Sequence, residues 1–390
     1  MEGAEFGREL RRLRGAAGLS LGALARATHF DKGYLSRVET GERTPSPQLS
    51  RLCDQVLGTG GYLTRLLLSG AAPRIPAVRE QPAEDPPAAA GRAPTDPLLR
   101  APFAAMLTEL RKLGQSSPSG TVLELVRAQL TGLRSLAATP DPELLRLMAR
   151  YAEYAGWLTQ EAGDAEAAQY WTTYAWRYAT RAGDAELAAY TKVRQAELAM
   201  ERGDPVSTLD YATEVQADPA ASARTRALAA HREAQAHALL FDARRVAYAL
   251  HRARRWGFAH AEEHGVLGSS TIVDMAAMAD GWCAFELGDH DTAIERLEHG
   301  LAQIPESSRR IRAIFGSRLA LAYLAADQVD NACTAGHRAW ELAQLTDSAT
   351  AGAQLKMLAR NLQRRRSNSA AMELFNRLTT AGPLPSGAAA

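Results

Sequence analysis

Lys32, Gly33, Tyr34, Ser36 and Arg37 crowd one short stretch, interrupted only by the apolar Leu35 and Val38. On a helix those two apolar residues lie one turn apart and pack inward, which leaves the others facing outward. A polar, basic, hydrogen-bonding helix face of this kind suits the DNA major groove when a second short helix braces it. Two other constellations carry chemistry. His260-Ala-Glu-Glu-His264 has the spacing at which two histidines one turn apart bind zinc beside a glutamate base. The chain has nine histidines and abundant glutamates, so such a match arises readily by chance. The segment also runs into Gly265 and has no evident third ligand, so it reads as a solvated helix end. Tyr151, Tyr154, Trp157, Tyr170, Trp171, Tyr174, Trp176 and Tyr178 form a dense aromatic cluster at several helical phases. Packing accounts for most of it; rings at the remaining phases, Tyr154 and Trp157 among them, are candidates for a ligand groove. Arg194, His231 and His237, on later helices, are candidates for the same concavity.

The elements that position the basic face are legible on either side of it. Ser20 is an N-cap, and Leu21, Leu24 and Ala25 then recur on one helical face. That run stops at Thr28-His29-Phe30, and Asp31 caps the next helix. Upstream, a helix over 5–17 places Phe6, Leu10 and Leu13 inward and ends at Gly18. Downstream, Thr44-Pro45-Ser46-Pro47 opens a fourth helix with Ser46 as its cap and Leu49, Leu52 and Val56 as its apolar stripe. Gly60-Gly61 precedes a short fifth helix, 62–68.

The pattern Leu19-Ser20, Leu24-Ala25, Tyr34-Leu35-Ser36-Arg37-Val38-Glu39, Gly41 and Pro45-Ser46 resembles the XRE family of phage-repressor-like helix-turn-helix domains. The likeness covers about residues 6–68, with His29 standing where that family commonly has a turn glycine. It implies a five-helix lambda-repressor-like domain over residues 1–70 that binds double-stranded DNA. By position in the family pattern, Lys32, Gly33, Tyr34 and Arg37 face the bases, Arg37 first among them for guanine. Arg14, Ser20, Ser36 and Arg43 are the phosphate candidates. The resemblance also pairs Arg14 with Glu39.

Charge agrees with a specific reader rather than a coating protein. The whole chain carries a formal +1, whereas residues 1–70 hold ten Lys/Arg against seven Asp/Glu. Arginine far outnumbers lysine, which occurs only at 32, 112, 192 and 356, a usage typical of a GC-rich genome such as an actinobacterial one. Cys53, Cys283 and Cys333 are far apart and form neither a metal spacing nor a disulfide framework, so a reducing cytoplasm is expected. No apolar run is long enough for a membrane span, and no membrane partner is expected.

Residues 71–97 hold seven prolines and no hydrophobic period, which reads as a linker. From 98 to 380 the chain is a series of amphipathic helices. Turns at Gly163-Asp164, Gly203-Asp204, Phe241-Asp242, Gly288-Asp289 and Asp327-Gln328 recur at the spacing of a helical-pair solenoid. Small or short residues return five and twelve positions after each turn, at Ala168 and Ala175 in the first repeat. The block from Gly288 to Leu301 is similar to the tetratricopeptide (TPR) pattern. The expected fold is therefore all-α: a helix-turn-helix head, a linker, a TPR-like α-solenoid of five to six helix pairs, and a disordered tail over 381–390. Arg364-Arg365-Arg366 reads as a solvated face or interhelical boundary.

An XRE-like head on a TPR-like body resembles bacterial transcriptional regulators whose repeat domain binds a peptide or other small effector. The resemblance implies DNA binding by the head, and homodimerisation, sensing or both by the body. The alternative is a protein-interaction scaffold whose head is only structural or tethering. With no phosphate-cradling glycine loop, nucleophile elbow or defensible carboxylate pair, no catalytic residue, metal or cofactor is expected.

Overall fold

The computed structural model describes residues 2–28, 30–43, 45, 47–59, 61–70, 100–136, 141–257, 267–268, 272, 274–365 and 367–380. Expectations for His29, Thr44, Ser46, Gly60, the linker, His260, His264, Arg366 and the tail concern positions outside these residues. Among the described residues every regular element is a helix, and the fold is all-α.

Five helices make the head: α1 (Glu2–Ala16), α2 (Leu21–Thr28), α3 (Lys32–Glu39), α4 (Pro47–Leu57) and α5 (Tyr62–Gly70). Their shared core is Phe6, Leu10, Leu24, Leu35, Val38, Leu49, Cys53 and Leu63, each close to fully buried. α1 begins earlier than the apolar pattern indicates, because backbone hydrogen bonds extend a helix beyond the residues that pack. Cys53 fills the core position on α4, and Leu52 is only half-buried. A glycine at position 7 is a packing requirement: a Cβ there would lie 2.2 Å from the Val38 carbonyl oxygen, where α1 crosses the end of α3. Asp54 on α4 accepts from the Leu63 and Thr64 amides at 2.8 Å each, which fixes the start of α5.

The body is an α-solenoid of seven consecutive helix pairs among the described residues. They are α6 (Arg100–Leu113) with α7 (Ser119–Leu136), α8 (Pro142–Glu161) with α9 (Ala165–Arg181), α10 (Ala185–Glu201) with α11 (Pro205–Ala217), and α12 (Ala223–Leu239) with α13 (Ala243–Trp256). Then come α14 (Met275–Leu287) with α15 (His290–Ala302), α16 (Arg309–Ala325) with α17 (Val329–Thr346), and α18 (Ala349–Leu362) with α19 (Ser369–Thr380). The five turns legible in the sequence are the within-pair turns of the central repeats. At them Gly163, Gly203, Phe241, Gly288 and Asp327 have φ of 82°, 74°, 57°, 84° and 62°. This left-handed residue ends one helix, and Asp164, Asp204, Asp242 and Asp289 then cap the next by accepting from the amide three residues on. Gly183-Asp184 repeats the device between pairs. Among the described residues the terminal pairs α6/α7 and α18/α19 lack it, which is why the sequence pattern counts fewer pairs than the structure contains.

The small residues after the turns are all buried where paired helices meet. A Cβ on Gly300 would lie 2.5 Å from Met278 Cε across the α14/α15 contact. The first helices of successive pairs, α10, α12, α14, α16 and α18, pack on one another in turn, and α18 returns to touch α8. The solenoid therefore curls back on itself.

Arg310 joins the two ends. It is fully buried at the start of α16, and its Nε donates to the Gly114 carbonyl at 2.8 Å. Nη2 donates to the Ser117 and Thr346 carbonyls at 2.7 Å each, and Nη1 lies 3.4 Å from Glu161 Oε2. The Arg310 amide donates to Gln115 O at 2.8 Å. Glu161 also accepts from Ser348 and Thr350, at 2.6 Å each. Removing one member of a buried pair leaves the other charge without compensation, at a cost of about 3–5 kcal/mol. Arg310→Met is expected to lose stability on that scale in urea denaturation followed by circular dichroism. A loss below about 1 kcal/mol, within the range of a solvent-exposed ion pair, would show that ring closure does not depend on this residue.

Candidate nucleic-acid interface and cavity

Local capping sets the angle at which the basic helix leaves the head. Ala23 N donates to Ser20 Oγ at 3.1 Å, and Tyr34 N to Asp31 Oδ1 at 2.9 Å, so α2 and α3 start at the expected residues. Leu35 and Val38 anchor α3 in the core, while Lys32, Gly33, Ser36 and Arg37 are exposed together. Tyr34 is half-buried, stacked on Phe30 with centroids 5.5 Å apart, so its ring is held at the edge of this face. Arg43 is exposed beside the helix end, its amide donating to Arg37 O at 3.0 Å.

Arg14 is placed differently from the other phosphate candidates. Its Nε and Nη2 bind Glu39 Oε1 and Oε2 at 2.6 and 2.9 Å, and Nη1 donates to Leu19 O at 2.8 Å. The hydrogen bonds to Glu39 raise its pKa and hold it charged. Both edges of the guanidinium are thus used to tie α1 to the end of α3 and to the turn before α2. Arg14 is a strut for the basic face, and Ser20, Ser36 and Arg43 are the exposed members of that set.

The curled body surrounds a partly open cavity of about 380 Å³. Its wall comes mainly from the first helices of the pairs: Tyr154 and Trp157 on α8, Arg194 on α10, His231 on α12, Trp282 on α14 and Arg318 on α16. Four of the five groove candidates therefore share one cavity. His237 does not join them; its Nε2 faces Glu233 Oε1 at 3.7 Å. The difference is helical phase, because residue 237 falls six positions after 231, more than one and a half turns on. Of the aromatic cluster, Tyr151, Trp171, Tyr174 and Tyr178 are buried in the core, and Tyr170 and Trp176 are exposed on the outside.

Most charges on this wall are already satisfied. Arg194 donates to Glu197 and to Gln160 Oε1, with Glu153 4.0 Å away. Burial opposes its charge, but Glu197, Tyr190 and Glu153 outweigh that and raise its pKa. Arg111 donates to Gly268 O at 2.7 Å and lies 3.5 Å from Glu153. Burial, with Arg232 and Arg254 adding to it, brings His231 down to about 3, so the ring is neutral at physiological pH. Desolvation by the surrounding cavity wall and the nearby Glu197 push Glu201 up to about 8, although the residue at the end of α10 still reaches solvent. Arg318, Trp282 and the apolar side chains between them on the wall were not legible in the sequence. Their shared position depends on α14 and α16 facing inward.

Arg51 on α4 of the head also lines the cavity. All three cysteines are buried and unpaired, and burial raises each thiol pKa. Among the described residues no group of His, Cys, Asp and Glu has the geometry to hold a metal ion, and no helix is long and apolar enough to cross a membrane. In comparisons with known proteins, residues 5–67 match a family model described as a helix-turn-helix domain. No curated protein matches the chain.

The raised Glu201 pKa has a definite pH signature. From an ordinary 4.5 up to about 8 the folded chain holds this proton more tightly than the unfolded chain does. Its contribution to stability therefore falls as pH rises through that window. Glu201→Gln, which can still accept from Gln160, is expected to gain on the wild type from pH 5 to 8 and run parallel to it above. Urea denaturation at pH 5, 6.5, 8 and 9 reads this out, and a pH-independent difference would remove Glu201 as the titrating group.

Proposed function

We propose that the protein is a sequence-specific DNA-binding transcriptional regulator of the XRE type. In this reading its TPR-like body pairs two copies, binds a small effector, or does both. The observation that carries the reading is the exposed face of Lys32, Gly33, Ser36 and Arg37 on a helix pinned by Arg14 and Glu39, within a segment that matches a helix-turn-helix model. Arg37 reads guanine through two parallel donors, Lys32 and Tyr34 contact neighbouring bases, and Gly33 admits close approach. Ser20, Ser36 and Arg43 bind phosphates and set register.

One small head covers little DNA, so two heads on symmetric half-sites supply the remaining affinity. The cavity supports effector binding: its volume falls within the roughly 300–1,000 Å³ usual for small-molecule sites, and its wall combines aromatic and charged side chains. Arg51 supports coupling between cavity and head, since a residue of α4 is part of the wall that an effector would touch. Regulation of this kind is a binding equilibrium and requires no reaction.

Selection of genomic DNA fragments on the purified chain tests the reading. The expected result is a two-fold symmetric motif that is lost in a Lys32→Ala/Arg37→Ala double variant. Arg37→Ala alone is expected to cost about 1–3 kcal/mol of specific binding and to relax the preference at one position of each half-site. Recovery of the same motif from wild type and double variant would remove α3 as the reading helix. No enrichment by the wild type would favour the scaffold alternative.

A further inference from the structure

Arg318 is a cation of the cavity wall with a buried donor left unmet among the described residues. That donor is Nη1. Its guanidinium lies over the Trp282 ring, 4.7 Å from the centroid. Arg310 and Arg194, in the same ring of helices, are bonded to carbonyls, carboxylates or amides. A buried guanidinium keeps its charge at physiological pH and is costly when its donors are unmet. Burial, eased by Glu286 and Cys283, draws Arg318 down to about 10, in contrast to the raised Arg194.

The surroundings of Arg318 specify more than an anion. Ile311, Ile314, Phe315 and Arg318 fall at three- and four-residue spacing on α16, and Met275, Met278, Trp282 and Glu286 do the same on α14. Each helix thus presents an apolar stripe with a charged residue at its C-terminal end. Those eight residues belong to one cavity. Several other charges on the wall are engaged: Arg111 with Glu153, Arg194 and Arg232 with Glu197, and Glu161 with Arg310.

We infer that the cavity binds a small hydrophobic carboxylate, its acid group on Arg318 and its apolar body between Trp282, Met278, Ile314 and Phe315. A bidentate pair with a carboxylate is the partner a guanidinium fork fits best, and the indole beneath it holds the fork in plane. Thioether side chains on the wall adapt to the shape of the apolar part. The same chemistry is offered by a simple organic acid and by a hydrophobic amino acid. In the second case the ammonium faces Glu286. The cavity volume favours a ligand of this size over a long peptide.

The inference rests on the effector reading above, and its test is independent of DNA binding. Thermal unfolding and tryptophan fluorescence of the full chain are measured with 3-phenylpropionate, decanoate and L-phenylalanine. The matched controls are 3-phenylpropanol, decanol and phenethylamine. At least one acid is expected to bind ten or more times tighter than its control. Stronger binding of L-phenylalanine than of 3-phenylpropionate and phenethylamine identifies the amino-acid form. The reverse order between the two acids, or decanoate alone, identifies the simple acid. Arg318→Met is expected to weaken acid binding at least tenfold and to leave the ligand-free melting temperature unchanged or higher, because an unmet buried charge is removed. Arg318→Lys is expected to retain part of the affinity. Equal binding of acids and their controls, or acid binding indifferent to Arg318→Met, would overturn the proposal. A gel-shift experiment on the wild type runs in parallel. Its failure with acid binding intact would remove the regulator reading and leave the carboxylate site standing.

Discussion

One buried guanidinium decides the shape of the body. A stack of helix pairs forms an open superhelix if each pair touches only its neighbours. Here Arg310 reaches the loop after α6, the end of α17 and the Glu161 carboxylate on α8, contacts separated by up to 196 residues of chain. Burying a guanidinium and a carboxylate is tolerable only when nearly all their hydrogen-bonding capacity is met, and at this junction backbone carbonyls and hydroxyls meet it. Arg310 also lies over the Trp157 ring, 5.6 Å from its centroid, so the closing residue borders the cavity it helps to create. The concave layer of first helices is thereby curled around a partly open cavity.

The arginines of this protein sort by how their donors are used. In the head, Arg14 spends its guanidinium on Glu39 and a backbone carbonyl, and so fixes how far α3 projects. In the body, Arg310 and Arg194 do the same for helix packing. Arg37 on the basic face of α3 is exposed, and among the described residues Arg318 in the cavity keeps a buried donor unmet. Guanidinium groups bonded to carboxylates and carbonyls build the scaffold, whereas Arg37 and Arg318 have no such bond among the described residues. The distinction follows from partners, and residue type alone does not carry it.

Much of the head was legible because its determinants are local. An N-cap, a helical apolar stripe and a second cap lie within about twenty residues, and each acts on backbone a few positions away. The structure accordingly places α2 and α3 where Ser20, Asp31, Leu35 and Val38 indicate. The within-pair turns of the body were legible for the same reason: a left-handed residue followed by a capping aspartate is a short-range signal. The terminal pairs use other turns, so their number was not.

The chain by itself determined the all-helical class, the basic face of α3, and the repeated turns with small residues at the pair contacts. All of these follow from periodicity and capping over distances shorter than one repeat. Only the tertiary structure decided that His237 faces Glu233 while His231 faces the cavity, and that Arg310 closes the ring. It alone set Arg318 over Trp282 with no partner for Nη1 among the described residues. The physical reason is common to these cases. Small rotations between successive helix pairs accumulate along a solenoid, and only their sum fixes which side chains from distant repeats come within hydrogen-bonding reach.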